Sequence, residues 1–70
     1  MDIRVRRIYI ADKLREYRKE NGTTMAELGR MLGVSAQAVC KWEHGTSYPD
    51  ITFLPALARL FNCRIDDFFE

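Results

Sequence analysis

No apolar run in this 70-residue chain exceeds a handful of residues. A membrane span needs about 20, and an export signal needs a continuous apolar centre. Neither is expected, so the protein is placed in the cytoplasm. Histidine occurs once, no Ser/His/acid set can be assembled around it, and no glycine-rich phosphate loop is present. Catalysis is therefore disfavoured and no cofactor is expected. Cysteine occurs twice, at Cys40 and Cys63, and without an export signal both are read as reduced thiols. Cys40 and His44 stand one helical turn apart, but a zinc site takes about four ligands and Cys63 is the one soft ligand left. No metal site is expected.

Charge of one sign is also lacking, since eleven basic residues face ten acidic ones for a net +1. That total predicts no polyanion partner, but the distribution is uneven. Residues 1–20 hold seven Lys/Arg against four acids, and residues 46–70 hold two against four. One end is basic and the other acidic, a layout that suits a face meeting an anion.

What is present is globular composition, 47% hydrophobic and 30% charged in 8.2 kDa, enough for one small domain with a thin core. Ile10, Leu14 and Tyr17 recur at helical spacing among charged residues, and Asn21-Gly22 closes that helix. Residues 1–9 alternate ambiguously and are read as an arm, leaving 10–70 as the domain. Thr24-Met25-Ala26-Glu27 has the form of a capping box. Leu28 and Leu32 continue the stripe to Gly33, which tolerates a left-handed exit. Val34 alone separates Gly33 from Ser35, the N-cap of the next helix, so two short helices meet at a sharp angle. Gly29, lacking a side chain, permits the close approach. Thr46 to Phe53 reads as a loop. Leu54, Leu57, Ala58 and Phe61 define a fourth helix, which starts at Thr52 or Phe53 so that Pro55 falls in its first turn. Asn62 ends it, and Ile65 to Phe69 form a last turn or short helix. No segment has the alternation and turn chemistry of a paired sheet, and the class is all-α.

Along the third helix Val39 and Trp42 point inward, with Glu43 beside them, while Gln37, Cys40, Lys41 and His44 share the opposite side. Read alone, Gln37 and Lys41 are solvated helix positions. On a helix held at an angle by a short predecessor, the amide suits adenine and the ammonium suits guanine or phosphate in the major groove.

From about Ile10 to Phe69 the chain resembles the Cro and lambdoid phage-repressor (XRE-type) helix-turn-helix family. The resemblance rests on Thr24-Met25-Ala26-Glu27-Leu28-Gly29, Leu32-Gly33-Val34-Ser35, Gln37, Val39, Lys41-Trp42-Glu43, Gly45 and Phe53-Leu54-Pro55-Ala56-Leu57-Ala58. It implies a five-helix bundle binding operator DNA as a transcriptional regulator, repressor rather than activator. Base contacts are then expected from Ala36, Gln37, Cys40 and Lys41. Phosphate contacts are expected from Thr24, Met25, His44, Thr46, Ser47 and Arg7, helped by Arg4 and Arg6. Met25 stands where the family usually has Gln, so that position has a backbone N–H to offer and no side-chain donor. The resemblance also implies an ion pair between Arg18 and Glu43 beneath the recognition helix. Phe61, Ile65, Phe68 and Phe69 are either interior filler or the interface of a homodimer. The competing class is an antitoxin-like or adaptor module that keeps the fold and binds DNA weakly.

Overall fold

The computed structural model describes residues 7–70. Four α-helices, α1 (Ile10–Asn21), α2 (Met25–Leu32), α3 (Ala36–His44) and α4 (Leu54–Phe61), are joined by short links, with 3-10 turns at Ile51–Phe53 and Ile65–Phe68. None of the helices is long and apolar enough to cross a membrane. Gly22 and Gly45 take left-handed conformations after α1 and α3, and Asn62, at φ 54°, does the same after α4. Side-chain caps start two of the helices. The Thr24 hydroxyl accepts from the Glu27 N–H while the Glu27 carboxylate accepts from the Thr24 N–H, both at 3.0 Å, and Ser35 Oγ accepts from the Ala38 N–H at 3.1 Å.

The fourth helix begins one or two residues later than the sequence suggests, at Leu54, with Pro55 in the first turn, where its missing N–H costs little. Asp50 caps the separate turn before that helix, accepting from the Thr52 N–H at 2.9 Å. The backbone thus makes one tight turn, then restarts as α4, so the proline never interrupts a ladder. The expected fifth helix is a single 3-10 turn. It stops because Phe69 is extended and pairs with Ile8 in an isolated antiparallel bridge.

That pairing also revises the reading of residues 1–9 as an arm. Tyr9 donates its N–H to Phe68 O at 2.7 Å, and Glu70 donates to Arg7 O at 3.0 Å, so residues 7–9 are tied to the end of the chain. Residues 1–6, with Arg4 and Arg6, lie outside the described residues.

One core joins all four helices and the last turn: Ile10 and Leu14 from α1, Leu28 from α2, Val39 and Trp42 from α3, Leu57 and Ala58 from α4, and Phe68. Tilted or edge-on aromatic pairs knit its margin, Trp42 with Phe53 at 5.7 Å and Phe61 with Tyr17 at 5.9 Å and Phe68 at 6.0 Å. Phe68 is fully buried, which corrects its assignment to a dimer surface. The chain reversal at Asn62 folds the last turn back over α4, and the ring that fills the resulting gap is Phe68. Phe61 and Phe69 are half-buried against the same core, while Ile65 is exposed.

Candidate nucleic-acid interface

The angle between α2 and α3 is set by one close backbone approach. A Cβ at Gly29 would lie 2.6 Å from the Val34 carbonyl oxygen, and Val34 donates its N–H to Gly29 O at 2.8 Å. Between them Gly33, at φ 77°, makes the left-handed exit that an L side chain resists. Three links of local chemistry, the glycine contact, the left-handed turn and the Ser35 cap, therefore fix how α3 leaves α2.

With α3 placed this way, Val39, Trp42 and Glu43 are buried, and Gln37, Lys41 and His44 are exposed. Ala36 and Cys40 are half-buried beside them. The helix therefore presents an amide, an ammonium and an imidazole along one ridge. Thr24 is exposed at the start of α2. Its hydroxyl oxygen accepts the capping bond from the Glu27 N–H.

The other expected phosphate contacts divide. Met25 is half-buried and packs on the core, so its side chain is turned to the interior. The Thr46 hydroxyl donates to the Lys41 carbonyl at 3.2 Å, closing the end of α3 and leaving no hydrogen for a phosphate in this geometry. Ser47 is half-buried. Arg7 belongs to the Phe69–Glu70 pairing, with its guanidinium 5.1 Å from the centre of the Tyr9 ring.

Beneath α3 lies an ion pair. Glu43 is buried, its side chain 2% exposed, and both carboxylate oxygens are taken by Arg18, Nε at 2.6 Å and Nη2 at 2.8 Å. The same guanidinium donates to Thr23 O at 3.3 Å, so a single side chain of α1 holds both the α1–α2 link and α3. The Glu43 carboxylate, first by its hydrogen bonds, raises the pKa of Arg18 further. Arg15 adds a tie that sequence reasoning missed: it donates to the Glu43 carbonyl while also pairing with Asp12. A bond to a backbone oxygen leaves no residue-type signature, since any residue at 43 supplies the acceptor.

A helix-turn-helix family model matches residues 14–68. The chain belongs to the helix-turn-helix family. An uncharacterized HTH-type transcriptional regulator of Archaeoglobus fulgidus is 35% identical over 57 residues, 81% of each chain. The HTH-type transcriptional activator BcrR of Enterococcus faecalis is 34% identical over 56 residues, 80% of this chain and 28% of that protein. Among solved structures, the P22 c2 repressor protein in complex with a synthetic operator superposes with a TM-score of 0.75 at 31% identity, covering 87% of this chain and 92% of that one. In the helix-turn-helix frame α2 and α3 are the two helices of the motif, and α3 is its second, recognition helix. The buried Glu43 and the exposed Gln37, Lys41 and His44 thus lie on opposite sides of that recognition helix.

Proposed function

We propose that this helix-turn-helix protein is a sequence-specific DNA-binding transcriptional regulator of the cytoplasm, a repressor that acts by occupying its operator. The recognition helix Ala36–His44 enters the major groove. Gln37 pairs with adenine through its amide and Lys41 donates to guanine or to a phosphate, while Ala36 and Cys40 line the contact. Thr24, with the free backbone N–H groups at the start of α2, receives a phosphate on the flank.

What carries this reading is the sidedness of α3, whose interior face is locked by Val39, Trp42 and the Arg18–Glu43 pair while Gln37 and Lys41 stand free. With the helix backbone already fixed, docking has only these side chains to order. The P22 c2 repressor, a structural relative, is bound to an operator in its crystal, which supports a DNA partner here.

The reading takes two copies of the protein per operator. We place the dimer contact at the exposed end of the C-terminal segment, Ile65 with the accessible edges of Phe61 and Phe69, because Phe68 is committed to the core. Two recognition helices about 34–36 Å apart then read a near-palindromic site.

Selection of duplexes from a random pool, followed by affinity measurement against salt, tests the reading. A steep linear fall of log K with log salt and an enriched near-palindrome are expected. Weak, sequence-blind association would contradict it and favour the interaction module.

A further inference from the structure

His44 ends the recognition helix, and its ring is not free. Nδ1 lies 2.7 Å from the Cys40 carbonyl oxygen one turn back. Two acceptors at that separation would repel, so Nδ1 carries the proton and donates it to the carbonyl. The Cys40 Sγ, 3.5 Å from the same nitrogen, sits on that side of the ring as well. In the neutral imidazole the far nitrogen, Nε2, is then a bare acceptor. A phosphate oxygen only accepts, so neutral His44 cannot bond the DNA backbone. When a proton from solvent adds to Nε2, the ring becomes both a cation and an outward donor.

We propose that His44 is a proton-gated DNA contact: its neutral form is silent toward phosphate, its charged form binds it, and operator affinity rises when the ring gains its second proton. The inference rests on the DNA-binding reading above and deepens it. The charged groups that the structure brings to the last turn of α3 are Lys41 on the same helix, and Arg15 and Arg18 from α1 through their bonds to Glu43. Arg15 is engaged with Asp12 and the Glu43 carbonyl, and Arg18 with the Glu43 carboxylate. Beyond α3, Asp50 is committed to the Thr52 N–H. Among the described residues, the salt bridges Arg15–Asp12 and Arg18–Glu43 leave His44 out, and the phosphates of a bound duplex supply the charge that an imidazolium would pair with. Binding and protonation then promote one another, as linkage requires.

The test measures Kd of the intact chain for a selected duplex at about pH 6 and pH 8 at constant ionic strength. Wild-type protein is expected to bind about fivefold more tightly at the lower pH, with a log K against log salt slope steeper by about 0.9. His44→Gln should bind equally at both values, and His44→Lys, permanently charged, should do the same with higher affinity. The inference is overturned if wild-type affinity is unchanged between the two, or if His44→Gln keeps the full wild-type response. A wild-type protein that binds no duplex at either pH overturns the DNA-binding reading itself, whereas losing only the pH response leaves that reading standing.

Discussion

Arg18 grips both oxygens of the buried Glu43 carboxylate, at 2.6 and 2.8 Å, across the α1–α3 boundary. The two partners differ in what they leave behind when the other is removed. Arg18→Ala strands a carboxylate whose side chain is 2% exposed, whereas Glu43→Ala strands a guanidinium whose side chain is 24% exposed. Arg18→Ala should therefore cost about 3 kcal/mol, at the low end for a broken buried pair, and Glu43→Ala about half as much. Urea denaturation of both variants checks the order; equal losses would contradict it.

Gly29 and Gly33 are both required by the motif, for different reasons, and should fail differently. Gly29→Ala drives a Cβ to 2.6 Å from a backbone carbonyl that has no rotamer to change, so α2 and α3 must separate, at about 1–3 kcal/mol. Gly33→Ala meets no atom within 4 Å but keeps a φ of 77°, a strain of about 1–2 kcal/mol. With similar stabilities, Gly29→Ala should lose far more DNA affinity in a duplex-binding titration, since it alters the angle at which α3 is presented.

Gln37→Ala and Lys41→Ala should each weaken binding by about 1–3 kcal/mol and relax base preference at one operator position. Neither side chain contributes to the core, so thermal stability should hardly move. Repeating the duplex selection with each variant provides the measurement. Unchanged preference in both would remove α3 as the reading element.

The capping box makes the start of α2 sensitive to acid. The hydrogen bond from the Thr24 N–H, foremost, lowers the Glu27 pKa below its ordinary 4.5. A carboxyl whose folded pKa is depressed stabilises fully above the unfolded value and loses that contribution as pH falls through the folded one. The stability gap between wild type and Glu27→Gln should accordingly hold near neutral pH and shrink below about pH 4.5. Parallel acid limbs in the two proteins would contradict the assignment.

Features set within a few residues are legible in the amino-acid sequence. Thr24 with Glu27, Ser35 with Ala38, and the left-handed exits at Gly22, Gly33, Gly45 and Asn62 are local backbone chemistry, and each announces itself by residue type. The sidedness of α3 follows from periodicity alone. What escapes such a reading depends on contacts between distant segments. The spacing of Phe61, Ile65, Phe68 and Phe69 says that apolar groups cluster there, but which ring is interior depends on the direction of the chain after Asn62. The pairing of residues 7–9 with 68–70 joins opposite ends of the sequence through backbone groups. Arg15 likewise acts on a main-chain oxygen, and Thr46 looks available because its partner, the Lys41 carbonyl, is not a side chain.

The most direct test of the recognition-helix assignment replaces purines of a selected operator, one at a time, by 7-deaza analogues, which lack the N7 acceptor in the major groove and leave the minor groove untouched. If α3 reads that groove through Gln37 and Lys41, affinity falls about fivefold or more at one or two positions in each half-site. Full affinity at every substituted position would contradict the account.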